Sequence, residues 1–174
     1  MSPSSEFYRS VKDTMHWLAK DPRTLFVGQS VRYDGTAMYA SLADVPIAQR
    51  IEMPVIEDFQ LGYCTGLALM GWTPVCCYPR MDFLLLAMNQ LVNHLDKLPL
   101  FGWNPRVIIR TVVGPKVPLD AGPQHTQDLT LAVRSLLHNV VVLTARTPDE
   151  VRRRYEYAAQ AYGSTLVVEY PGGR

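Results

Sequence analysis

The chain is punctuated by short, largely apolar runs: "RTLFVGQSV" (23–31), "TPVCCYP" (73–79), "RVIIRTVVG" (106–114), itself rich in β-branched residues, "NVVVLTA" (139–145) and "STLVVEY" (164–170). They do not alternate cleanly between apolar and polar positions. Strands of that kind are buried on both faces, as in a parallel sheet covered by helices on either side. Segments with helical spacing lie between them. The expected fold is therefore α/β: a three-layer, doubly wound domain with a mostly parallel sheet.

The helical segments are legible from spacing and caps. Ser4 and Ser5 can cap a helix starting near Glu6, with Phe7, Val11, Met15 and Leu18 on one face. Residues 31–50 are less regular, with a turn at Asp34-Gly35 and a helical turn over Met38 to Leu42. A helix runs from Glu57 through "GYCTGLALMG", with Gly71 as its stop. "MDFLLLAMNQLVNHLDKL" reads as one long helix and "DLTLAVRSLL" as a shorter one. "TPDEVRRRYEYAAQAYG" has Thr147 as cap and Pro148 in its first turn. "PKVPLDAGPQHTQ" is a Pro/Gly-rich loop of the kind that carries function.

Composition narrows the function. The 174 residues suit one domain spanning 1–174, and 48% apolar against 19% charged residues indicate a globular chain. A net charge of +1 gives no basic field for nucleic acid, and Arg152 to Arg154 read as a solvated helix face. The N-terminal "MSPSSEFYRS" has no apolar signal-peptide core, and no apolar run reaches the length of a membrane helix. Cys64, Cys76 and Cys77 are an odd set without disulfide or metal spacing, so a reducing, cytoplasmic location is expected. GxGxxG, Walker-type phosphate loops and GxSxG elbows are absent from the sequence.

Glu57 and Asp58 pose the sharpest question. Pro54, Val55 and Ile56 lead directly into Glu57, an apolar approach ill-suited to a surface acid. By itself the pair fits a helix start, where acids interact favourably with the macrodipole. The ordered set "MPVIEDFQLGYCTGLALMGWTPVCCYPRMDF", "NQLVNHLDK", "RVIIRTVVG" and "GPQHTQDL" adds a second reading. It resembles the pyrimidine-binding domain of transketolase-like thiamine-diphosphate enzymes, most nearly the first domain of pyruvate dehydrogenase-type beta subunits. The resemblance covers Thr24 to Tyr170 and lies in the order and spacing of the segments.

The resemblance implies roles. Glu57 matches the family glutamate that hydrogen-bonds the cofactor's aminopyrimidine and favours its imino form; burial near such a carboxyl helps keep its proton available. Phe83, 26 positions later, matches the aromatic that stacks on the pyrimidine. His125 matches a histidine that handles protons or substrate near the thiazolium. His16, His94 and His138 are read as structural. Gly62 and Gly66, with Thr65 and Ala68, offer a small helix face for a partner subunit or for packing within the chain.

The family's diphosphate signature begins Gly-Asp-Gly, and "GDG" occurs nowhere in the sequence. The resemblance therefore implies a separate diphosphate-binding, alpha-type subunit that holds most of the diphosphate and Mg²⁺, giving a heterotetramer. The beta subunits carry a further C-terminal domain, whereas this sequence stops at "VVEYPGGR". The implied chemistry is cleavage beside a ketone carbonyl, on a 2-oxo acid or, alternatively, a ketose as in transketolase or deoxyxylulose-phosphate synthase. A catalytically silent assembly module of the same fold is the reading from another class.

Overall fold

The computed structural model describes residues 3–114 and 120–172. Among them, six strands form one sheet in the order β2-β1-β3-β4-β6-β5. They are β1 (Thr24–Gly28), β2 (Arg50–Glu52), β3 (Thr73–Tyr78), β4 (Ile108–Val112), β5 (Val141–Ala145) and β6 (Thr165–Glu169). Every pairing is parallel, so the expected mostly parallel sheet is parallel throughout.

Successive residues of each strand serve opposite layers. Val27, Cys76, Ile109 and Val168 join one core with Leu61 and Cys64 of α3 (Glu57–Leu69) and Val133 of α5 (Thr130–Leu136). Phe26, Cys77, Ile108 and Val167 join the other. There they meet Val11 and Met15 of α1 (Pro3–Leu18), Met38 of α2 (Ala37–Ser41), and Val151 and Tyr155 of α6 (Pro148–Gln160). The adjacent Cys76 and Cys77 thus lie in different cores, and the three cysteines are free and buried. Burial pushes the Cys77 thiol up to about 12, so it behaves as an apolar side chain.

The second core contains a buried ion pair. Arg110 on β4 donates to both Glu169 oxygens on β6 at 2.8 and 3.2 Å, and Tyr155 donates to Glu169 at 2.6 Å. Burial opposes the charge on Arg110, but Glu169, Tyr155 and Cys77 together outweigh it and hold the guanidinium above its ordinary range.

Several expectations are corrected. α1 begins at Pro3, so Ser5 lies inside the helix and does not cap it. β2 was not anticipated: three residues are too few to show a period, and pairing with β1 creates the strand. The expected long helix is irregular. α4 (Met81–Leu84) passes through a 3₁₀ turn, Leu85–Ala87, into a π-helical segment, Asn89–Leu95. At its end the Asp96 N–H reaches back to Leu91 O, and the buried Asp96 Oδ1 accepts the backbone N–H groups of His138, Asn139 and Val140. The wider winding delivers that carboxylate to the start of β5. The arginine run is not simply solvated either. Arg152 lies over Trp17 and pairs with Glu156, and Arg154 donates to Thr144 O, while Arg153 is exposed.

Other features match. Gly71 follows α3 with φ +88, and the Thr147 hydroxyl accepts from Glu150 N at the head of α6. Gly35 has φ +92, as the expected turn requires. No helix among the described residues is long and apolar enough to cross a membrane.

Candidate active site at the carboxyl edge of the sheet

The connection leaving β1 goes to β2 on one side; the connection leaving β3 goes to β4 on the other. A crevice opens outside the carboxyl ends of such a strand pair, which is where open α/β sheets bind ligands. The segments that follow β1, β2, β3 and β4 carry Gln29, Glu57, Phe83 and His125 respectively. The expected site residues Glu57, Phe83 and His125 therefore stand, together with Gln29, at one edge of the sheet.

Glu57 opens α3 and is buried at 5% exposure. The head of a helix suits a carboxylate, because unpaired backbone N–H groups and the macrodipole both favour negative charge. Gln29 Nε2 donates to Glu57 Oε1 at 3.3 Å, and the Tyr78 hydroxyl donates to Glu57 O at 2.9 Å. Burial pushes the Tyr78 phenol far above its ordinary range, so it stays protonated and keeps donating. Gln29 is itself tightly placed. The next backbone N–H groups, of Ser30, Val31 and Arg32, converge on the Glu52 carboxylate at 2.6 to 2.8 Å. Ser30 takes φ +58 to make that turn, an uncommon conformation for a non-glycine residue.

Phe83 and His125 meet directly, ring centroids 5.5 Å apart and planes at 61°. Phe83 is half-buried within α4, which follows β3; His125 sits in the loop after β4, of which residues 115–119 lie outside the described residues. The loop is gripped from the β3 side. Arg80 Nη1 donates to His125 O at 2.9 Å, and Gln127 donates from its amide side chain and backbone to Asp82 Oδ1 at 3.0 and 3.4 Å. A Cβ at Gly114 would run into Arg80 Nη1 and His125 O, so the backbone leaves β4 where only glycine fits. Farther along, Tyr170 and Thr130 bond Asp128, holding its carboxyl below the usual range although burial works the other way.

Sequence reasoning missed Gln29, Glu52, Arg80 and Asp82. Gln29 directly follows β1, and Arg80 and Asp82 lie within four residues of the end of β3, positions that could have flagged them. Asp58, expected in an exposed first turn, is half-buried with Gln90 Nε2 at 3.5 Å. The small face also divides. A side chain at Gly62 would touch Gln90, whereas one at Gly66 would meet open space; Thr65 is buried and donates to Leu61 O. Beside Gly66, the exposed Ile56, Phe59, Tyr63 and Met70 form a stripe, with Phe59 and Tyr63 stacked.

The other histidines are tied into the structure: His16 Nδ1 to Asp44 O, His94 to Asn89, and His138 through its N–H to Asp96. No group of three His, Cys, Asp or Glu among the described residues is arranged to hold a metal ion.

No protein-family model matches the chain. Among curated proteins it is similar to the chloroplastic pyruvate dehydrogenase E1 component subunit beta-3 of Arabidopsis thaliana. The two are 26% identical over 155 residues, 87% of this chain and 38% of that protein. It is also 27% identical over 128 residues to the corresponding beta subunit of Cyanidium caldarium, covering 68% of this chain and 38% of the relative. The chain thus spans well under half the length of these relatives. Among solved structures, a split-gene transketolase, an inactive beta4 tetramer, superposes with a TM-score of 0.72 at 16% identity. That match covers 95% of this chain and 51% of the other. A protein from Mycobacterium smegmatis, assigned as a thiamin diphosphate-dependent enzyme, gives 0.61 at 12% identity over 91% and 31%. The three-layer parallel fold is that of these structures, and the sequence relatives are pyruvate dehydrogenase beta subunits.

Proposed function

We propose that the chain is the pyrimidine-binding part of a split thiamine-diphosphate enzyme that cleaves a C–C bond beside a ketone carbonyl. The observation that carries this reading is the buried Glu57 carboxylate at the head of α3, on the same sheet edge as the Phe83–His125 pair. The donor set fits an aminopyrimidine. Glu57 supplies a hydrogen-bonding carboxyl group in a dry place, and Phe83 supplies an apolar ring on which a flat heterocycle can rest. Bound thiamine diphosphate would supply a thiazolium carbon able to take up the fragment released from the substrate.

The residues of this chain then divide the labour. Glu57 binds the pyrimidine ring nitrogen and governs its proton, with Gln29 fixing the direction of the carboxylate. Phe83 sets the plane of the ring. His125 stands against Phe83 in the loop after β4, where an imidazole can hold or pass a proton near neutral pH. A separate alpha-type subunit is expected to hold Mg²⁺ and the diphosphate, in a heterotetramer. The relatives' name favours a 2-oxo acid as substrate, with ketose transfer as the second reaction of the same class. Residues 31–50 and 114–127 are the loops placed to select between them.

Calorimetry with thiamine diphosphate and Mg²⁺ tests the division of the site. The chain alone should bind no more tightly than high micromolar, since one hydrogen-bonded carboxylate and one ring contact supply only a few kcal/mol, where about 8 kcal/mol is needed for micromolar affinity. The reconstituted complex should bind far more tightly. Submicromolar binding by the chain alone would overturn the split-site reading.

A further inference from the structure

Where the β3 and β4 sides of the cleft meet, two buried polar atoms have no hydrogen-bond partner among the described residues: Asp82 Oδ2 and His125 Nδ1. Asp82 is only 8% exposed. Its Oδ1 serves the Gln127 backbone and amide; its Oδ2 serves nothing described. Burying a carboxylate oxygen or an imidazole nitrogen without a partner is costly, and most such atoms in folded proteins are satisfied. The two orphans are chemically complementary. An ionised carboxylate only accepts, while a neutral imidazole donates from one nitrogen and accepts at the other.

They also belong to one junction. The segment carrying Asp82 grips the segment carrying His125 through Arg80 to His125 O, through Asp82 to Gln127, and through the Phe83 ring against the imidazole. The other acids of the loop are engaged: Asp120 accepts from Gly122 N, and Asp128 accepts from Tyr170 and Thr130.

We propose that Asp82 is a positioning residue for His125. Its Oδ2 accepts the Nδ1–H of the imidazole, directly or through one ordered water. That bond fixes the neutral ring as the Nδ1–H tautomer and leaves the Nε2 lone pair for the cleft, since the partner of one ring nitrogen decides which carries the proton. Asp82 touches no reacting group; it decides what His125 offers to one. The catalytic use of His125 rests on the function proposed above, but the pairing does not, because both residues are in this chain.

The test reads the tautomer by long-range ¹H–¹⁵N spectra of the full ¹⁵N-labelled chain, with neutral imidazoles. His125→Gln identifies the His125 signals by their loss. In the wild-type protein the Nδ1–H form should outweigh Nε2–H by roughly tenfold or more, equivalent to about 1.4 kcal/mol. Asp82→Asn keeps an acceptor for Gln127 and places an amide donor where Oδ2 stood, so the preference should reverse to Nε2–H. A wild-type ring protonated at Nε2 overturns the proposal whether or not any variant folds. So does a folded Asp82→Asn protein that keeps the Nδ1–H form. Failure of the reconstituted complex to bind thiamine diphosphate would count against the proposed function and leave these tautomer readings unchanged.

Discussion

Glu57 shows how little surface chemistry needs when the backbone is right. Its carboxylate is held by one amide from Gln29 and by its place at the first turn of α3, and its carbonyl is tied to β3 by Tyr78. Glu57→Gln keeps the shape and the contact but cannot relay a proton. In the reconstituted complex, hydrogen–deuterium exchange at the thiazolium carbon should slow about 10²–10⁴-fold, the usual loss for a positioned acid–base group. Cofactor affinity should fall only modestly. Asp58→Asn is the control, because among the described residues Asp58 makes a long side-chain contact, to Gln90. Fast exchange in Glu57→Gln would remove the assignment, and slow exchange confined to Asp58→Asn would transfer it to the neighbouring acid.

At the scale of elements, Asp96 joins the π-helical segment to the start of β5. Burial by itself would raise its carboxyl pKa, but bonds from Val140, Asn139, Lys97 and His138 hold it below the ordinary 3.8. A depressed folded-state value means the carboxylate form is favoured by folding. Its contribution is therefore fully present above the unfolded value and is lost as pH falls through the folded one. Asp96→Asn keeps an acceptor but not the charge, and should cost about 1–3 kcal/mol at neutral pH. In urea titrations the gap between the two proteins should narrow below about pH 4. A gap that stays constant on acidification would show that the charge of Asp96 contributes nothing.

At the scale of the whole molecule, one flank of α3 remains uncovered. Gly66 lies within the exposed stripe of Ile56, Phe59, Tyr63 and Met70, and contiguous apolar surface of this kind marks interaction sites. On the proposed function this flank receives the diphosphate-binding subunit. Gly66→Leu has room in the isolated chain, so folding should be retained. Assembly should weaken roughly tenfold or more, about 1.4 kcal/mol, as followed by size-exclusion chromatography. A well-folded Gly66→Leu chain that assembles normally would place the partner elsewhere.

What the sequence alone determined is what is local. The short apolar runs of β1, β3, β4, β5 and β6 mark strands by their own composition and length, and Thr147 with Pro148 starts a helix by its own side-chain and φ geometry. The apolar approach to Glu57 foretold its burial at a helix start, whereas a role for it was implied only by the resemblance. Tertiary structure decided the rest. Arg50–Glu52 is a strand because β1 offers it a ladder, not because of its residues. Gln29 reaches Glu57 across 28 positions, and Gln127 reaches Asp82 across 45. Such pairs depend on strand order and on which strand ends lie side by side. Propensity and spacing act over a few residues and carry no information about either, so the partners that complete the site became visible only once the sheet was assembled.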